Sequence, residues 1–113
     1  MIKKEYRLKK NYEFSYLYKK GEKLFSKEVT LIYVKNKNNH KKIGISVSKK
    51  IGNAVVRSRY KRKLREAINL HINNLSDSFN YLLIAREDII NASFKEIYFS
   101  VTKLLKKGNL INE

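Results

Sequence analysis

The segment FNYLLIA, Phe79–Ala85, is apolar at every position except Asn80. A strand with one wet face alternates between apolar and polar residues, whereas a strand apolar almost throughout is covered on both faces. The chain is therefore expected to form layers, with a central strand at Phe79–Ala85 and packing on either side of its sheet. Its 113 residues, 42% of them hydrophobic, suffice for one core, so a single domain over 1–113 is expected.

The other elements fit around that strand. Asn11 is placed to cap a short helix, Tyr12–Lys20, with Phe14, Leu17 and Tyr18 on one side and Gly21 as its stop. Val29–Val34 is β-branched and aromatic and reads as a strand, followed by a polar loop at Lys35–Lys42. Ile43–Ser48 alternates: Ile43, Ile45 and Val47 face a core, while Gly44, Ser46 and Ser48 face away and are open to a ligand. After the Gly52-Asn53 turn a helix is expected from Val55 to Asn74, with Val56, Tyr60, Leu64, Ala67 and Ile68 as its buried stripe. Ser93-x-x-Glu96 is a capping box opening a last amphipathic helix that Gly108 ends. The expected fold class is α+β, a single-domain α-β-β-α-β-α sandwich with a small central sheet.

The net charge is +16, and its distribution matters more than its size. Residues 1–28 contribute +5 and residues 66–113 contribute −1, but residues 29–65 carry eight Lys, four Arg and no acid, for +12. A general lysine bias would be spread along the chain. Thirty-seven residues without a carboxylate produce a field that attracts polyanions. The chain has twenty Lys and six Arg, yet four of those Arg fall between Arg57 and Arg65 beside only two Lys. Arginine grips phosphate through a planar two-pronged fork and stacks on bases, so this cluster points to nucleic acid. On the predicted helix, Arg57, Lys61 and Arg65 line one flank of the buried stripe, Arg62 lies further round, and Arg59 and Lys63 lie on the opposite flank.

Catalytic constellations are missing. The chain has no cysteine, hence no disulfide, thiolate metal site or thiol nucleophile, which fits a reducing cytoplasm. His40 and His71 have no partners at metal-ligand spacing and read as surface residues. Glu87-Asp88 reads as a solvated loop or helix-start pair, and the ten acids are too dispersed for a two-metal nuclease site. MIKKEYRLKK carries charge with no apolar run behind it, and no stretch approaches the ~20 apolar residues of a membrane span. Neither a secretory signal nor a membrane partner is expected.

Binding chemistry remains. Asn53 and the amides of the Gly52–Val55 turn lie at a helix start, where N–H groups and the dipole favour phosphate; the same turn also reads simply as a cap. Phe14 and Tyr18, one turn apart, are either core or, at a cleft edge, stacking platforms for unpaired bases.

The run SVSKKIGNAVVRSRYKRKLRE, Ser46–Glu66, closely resembles the signature of the protein component of bacterial ribonuclease P. RLKKNYEFSYLYKKG (Arg7–Gly21) and FNYLLIAR (Phe79–Arg86) resemble that family's N-terminal helix and central strand, so the likeness spans nearly the whole chain. The resemblance implies a left-handed βαβ crossover. It also implies a subunit of a ribonucleoprotein endoribonuclease whose RNA, with Mg²⁺ held mainly by RNA and substrate, hydrolyses the phosphodiester. The implied partners are the ribonuclease P RNA and precursor tRNA, with no obligate protein partner and no catalytic residue on this chain. By the same resemblance Lys49, Lys50, Asn53, Arg57, Ser58, Arg59, Lys61, Arg62 and Arg65 bind RNA, and Phe14, Tyr18, Ile32, Ser46 and Ser48 line a cleft for the single-stranded 5′ leader. Two positions depart from the family pattern: its Arg-Asn-Arg triplet reads Arg57-Ser58-Arg59, and a first-strand cleft aromatic aligns with Ile32 or, one residue on, with Tyr33. A small structural RNA-binding protein such as a ribosomal protein, or a DNA-binding domain using Arg57–Arg65 as a recognition helix, shares the charge and size. The second lacks a paired-helix context for Val56, Tyr60 and Leu64.

Overall fold

The computed structural model describes residues 2–112. In chain order the elements are α1 (Asn11–Lys20), β1 (Glu22–Phe25), β2 (Val29–Lys35), β3 (Lys42–Ser46), α2 (Ala54–Asn69), β4 (Phe79–Ala85) and α3 (Phe94–Lys107). Single 3-10 turns occupy Lys4–Tyr6, Lys49–Ile51 and Glu87–Ile89. The four strands form one sheet in the order β1-β2-β4-β3. β2 pairs antiparallel with β1 and β4, and β3 pairs parallel with β4, so α2 connects two adjacent parallel strands.

The apolar segment takes the predicted place, as an interior strand with Tyr81, Leu83 and Ala85 on one face and Leu82 on the other, all buried. Tyr81, Leu83, Leu31 and Ile43 meet Tyr60, Leu64 and Ile68 of α2 and Ile97, Val101 and Leu105 of α3 in the main core. On the opposite face α1 seals a smaller cluster of Leu8, Leu17, Ile32 and Leu82, with Phe14, Val34 and Ile84 packed against it. α3 begins with the predicted box: the Ser93 hydroxyl accepts the Glu96 N–H at 3.1 Å, and the Glu96 carboxylate accepts the Ser93 N–H at 2.9 Å.

Four expectations about the elements change. β1 was not predicted; its EKLF is mostly exposed and gains strand geometry only by pairing Glu22–Phe25 with Tyr33–Thr30 of β2. Asn11 is the first helical residue rather than the cap. Lys10 occupies the cap position, and Glu13 reaches back to the amides of Lys10 and Lys9 at 3.2 and 3.4 Å. β3 stops at Ser46, two residues short of the prediction. α2 ends at Asn69 rather than Asn74, because residues 70–75 turn to meet other elements: the carbonyls of Ile72 and Leu75 take the buried Lys41 ammonium at 2.6 and 3.1 Å.

His71, expected at the surface, is buried in that same turn. Its ring stacks on Tyr98 at 5.2 Å and its Nε2 bonds the Thr102 hydroxyl at 2.7 Å. Burial, and secondarily the Lys106 charge, push its pKa below the ordinary histidine value. His40 lies half-buried in the β2–β3 loop, with Nε2 2.8 Å from the Glu5 carbonyl and its ring stacked on Tyr6.

Candidate RNA interface

The connection into α2 sets the helix start. Val47 and Ile51 are buried anchors, and the turn between them leaves Ser48, Lys49 and Lys50 exposed. Gly52 then adopts φ 157°, and a Cβ there would sit 2.9 Å from Cγ1 of Val56. Asn53 caps the helix, its Oδ1 accepting the Val56 N–H at 3.0 Å. Gly52 N–H goes to the Lys49 carbonyl. The amides of Ala54 and Val55 have no backbone partner among the described residues and lie at the positive end of the helix dipole, the arrangement that suits a phosphate oxygen.

Along α2 the buried stripe is Tyr60, Leu64, Ala67 and Ile68. The cations divide into two sets around it. Arg57 and Lys61 are half-buried and lead, at four-residue spacing, to Arg65. Arg65 lines a cleft of about 310 Å³ together with Arg7, Phe14, Gly44 and Ile45. On the outer side, exposed Ser58, Arg59 and Arg62 line a second, shallow groove of about 480 Å³ with Ala54 and Val55. No ion pair among the described residues reaches any cation of α2; the two pairs found are Lys41–Asp77 and Lys42–Glu13. Among the described residues, the Arg57 Nε is buried without a hydrogen-bond partner, a position that an added acceptor would relieve. Lys63 differs from its neighbours, lying over the Tyr60 ring at 5.3 Å.

The α1 face of the sheet supplies the apolar side of the cleft. Phe14 is half-buried over β3, and Gly44 is what admits it, since a Cβ there would stand 2.8 Å from both Phe14 Cε1 and Leu8 Cδ1. Tyr18, one turn further on, is 46% exposed. Beyond α1 the register aligns Phe25, Thr30, Ile84 and Ser46 in one row across the sheet, every member at least partly exposed. Phe25 carries the Arg86 guanidinium over its ring at 5.6 Å. Phe25 was missed from the sequence because β1 was missed, whereas Thr30 and Ile84 lie in strands that were predicted but whose pairing was not. With the pairing known, parity places all three on the face of Ser46.

Ile32 does not line the open cleft. It is 1% exposed and sealed under α1, where its Cγ2 comes so close to Gly21 that a Cβ there would clash. The alternative alignment fares no better: Tyr33 lies on the opposite face, its hydroxyl donating to Glu22 at 2.7 Å and its ring against Phe79. Successive strand residues face opposite ways, so one of the two had to belong to the main core.

Two cations of the acid-free segment leave the binding field. Lys41 is buried, bonding two carbonyls, pairing with Asp77 at 3.3 Å and lying over the Tyr6 ring. Lys42 pairs with Glu13 at 3.4 Å. Burial pushes the Glu13 carboxyl up, but the Lys10 and Lys9 amides and the Lys42 charge outweigh it and hold its pKa below the ordinary value. Glu87 and Asp88 are exposed at the start of a 3-10 turn. Among the described residues, no three His, Asp or Glu side chains gather to hold a metal ion, and no helix is long and apolar enough to cross a membrane.

The α+β fold that carries these side chains is shared with known proteins. The model of the ribonuclease P family matches residues 2–109. The chain belongs to the ribonuclease P protein family. It is 41% identical to the ribonuclease P protein component of Clostridium novyi, with 98% of this chain and all of that one aligned. It is 35% identical to that of Listeria welshimeri, over 99% and 95% of the two chains. Among solved structures, the ribonuclease P protein of Staphylococcus aureus superposes with a TM-score of 0.87 at 35% identity, covering 95% of this chain and 98% of that one. The ribonuclease P protein of Thermotoga maritima superposes with a TM-score of 0.81 at 25% identity, over 89% and 96%. Membership makes this a tRNA-processing protein with an RNA partner in a ribonucleoprotein.

Proposed function

We propose that this protein docks on the catalytic RNA of ribonuclease P through α2 and holds the single-stranded 5′ leader of precursor tRNA in the cleft between α1 and α2. The observation that carries this reading is the meeting of Phe14 and Arg65 in one cleft over β3. An aromatic face and a guanidinium at one opening are what an unpaired nucleotide requires, the first for its base and the second for its phosphate. The division of α2 extends the reading. Arg57, Lys61 and Arg65 face the leader side, whereas Ser58, Arg59 and Arg62, with Lys49, Lys50 and Asn53 at the helix start, face the RNA subunit. Tyr18 and Ser46 extend the leader surface, and Ser48 continues it at the exposed turn.

In this reading the protein performs no bond cleavage. The RNA subunit hydrolyses the phosphodiester, in the cytoplasm, with Mg²⁺ held mainly by that RNA and the substrate, while the protein neutralises phosphates and positions the leader. Two RNAs brought together repel, and a cationic protein between them lowers that cost. The dependence on added Mg²⁺ should therefore relax when the protein is present.

The test is reconstitution with a bacterial ribonuclease P RNA and a precursor tRNA at low Mg²⁺, following leader release. Faster release than with RNA alone is expected, with tighter binding of precursor than of mature tRNA. Absence of stimulation would overturn the reading, and cleavage by the protein alone would overturn the non-catalytic assignment.

A further inference from the structure

α1 has a second exposed flank that the leader cleft does not use. Tyr12 and Tyr16 are 68% and 50% exposed and lie one turn apart. At roughly 100° per residue Tyr16 is about 160° around the helix from Tyr18, so the two tyrosine flanks face opposite sides of α1. Between the Tyr12–Tyr16 flank, the end of β2 and the β2–β3 loop lies a groove of about 530 Å³, larger than the leader cleft. Its floor is Val34 and Asn80, which pair in register on the α1 face of the sheet.

The polar groups around this groove are either locked or free in a telling pattern. The Asn36 amide donates to the carbonyls of His40 and Asp77 and to Asn80 Oδ1, while its own oxygen accepts the Asn39 N–H. That network makes the loop a fixed rim. Glu13, the one carboxylate in the wall, is already matched by Lys42 and two backbone amides. What remains unmatched is Lys35 and Lys37 at the rim, which no carboxylate among the described residues approaches, and the Asn80 side-chain N–H₂ in the floor. Two exposed rings, two free ammonium groups and one free amide donor around an apolar floor answer to the parts of an unpaired nucleotide: base face, phosphate and base edge.

We propose that this groove is a second site for single-stranded RNA, on the flank of α1 away from the leader cleft. The proposal rests on the RNA-binding reading above for its class of ligand, but its residues are separate. The strand has two candidate sources, a distal part of the leader or an unpaired segment of the RNA subunit.

The experiment titrates the full chain with a fluorescein-labelled oligouridylate of about ten nucleotides at low salt, a length within the span such sites cover. Tyr12→Ala/Tyr16→Ala should weaken binding about fivefold or more, whereas Tyr12→Phe/Tyr16→Phe should keep it, because stacking needs the ring and not the hydroxyl. Lys35→Ala/Lys37→Ala should weaken it too and flatten the salt dependence by about 0.7 of a log–log unit for each phosphate no longer neutralised. All three doubles should unfold at the parent temperature, since the side chains are exposed. Unchanged oligonucleotide affinity in both alanine doubles overturns the proposal, including when Tyr18→Ala or Arg65→Ala weakens binding and so leaves the leader-cleft reading standing. In the reconstituted holoenzyme, a Tyr12→Ala/Tyr16→Ala defect seen only with long-leader precursors assigns the strand to the leader. A defect in RNA-subunit affinity, whatever the leader length, assigns it to the subunit. No defect in either arm overturns the proposal for the assembled enzyme.

Discussion

The two faces of the sheet are built from the same four strands and put to different uses. On one, α2 and α3 cover Leu31, Tyr81 and Leu83 completely and form the main core. On the other, the ten-residue α1 covers only the middle, sealing Leu17, Ile32 and Leu82 and leaving grooves along its flanks and an exposed row from Phe25 to Ser46 at one end. The closed face holds the fold. The half-covered face keeps aromatic rings and short polar side chains where a flat ligand can reach them. A short helix on a wide sheet thus leaves an open surface without a dedicated loop.

This contrast can be broken at its strongest point first. Leu83→Ala, on the closed face, should lower stability by about 2–5 kcal/mol, as cavity-forming core substitutions do, and denaturant unfolding measures it. RNA affinity per folded molecule should not change. The complementary variant replaces Arg57, Lys61, Arg62 and Arg65 with alanine. Unfolding should stay near the parent value, while the salt dependence of RNA binding falls by about 0.7–0.9 of a log–log unit for each phosphate left without its cation. A quadruple variant that binds RNA normally would show that the α2 cations are merely a solvated face.

Smaller changes sharpen the comparison. Tyr18→Ala on the open face should cost about 1–3 kcal/mol in holoenzyme binding of precursor tRNA, with mature tRNA unaffected and stability unchanged. Equal losses for precursor and mature tRNA would remove Tyr18 from the leader surface. The smallest effect belongs to the closed side. His71 has a folded pKa below its unfolded value near 6.5, so its contribution is complete above that pH and is lost as pH falls toward the folded pKa. Stability should therefore decline on acidification below about pH 6.5, with a slope of at most about 1.4 kcal/mol per pH unit from this group. Melts of His71→Gln against the parent across pH 5–8 check it, and an identical slope in both would exclude His71 as the source.

Legibility followed how local each signal was. The strand Phe79–Ala85, the Ser93–Glu96 box and the Asn53 cap are written in neighbouring residues and appear where the sequence places them. The end of α2 misled because Ile72 continues the four-residue spacing of Leu64 and Ile68 past Asn69, yet the chain turns there to give Lys41 its carbonyls and His71 its Thr102. β1 has no periodic signal of its own, since a four-residue edge strand buries too little to need one. Lys41 and Lys42 were counted in the polyanion field although both serve the fold, because charge is visible in a sequence and its partner, 36 or 29 residues away, is not.

The sequence by itself determined the layered α+β class, the placement of positive charge in one acid-free segment and the concentration of arginine on α2, because composition and periodicity are local properties of a chain. Only the tertiary structure decided that Phe14 and Arg65, fifty-one residues apart in the chain, share one cleft while Ile32 is shut beneath α1. The physical reason is parity and coverage. A strand position is assigned to a face by the register of its sheet, and whether that face is open depends on the length of the helix lying across it.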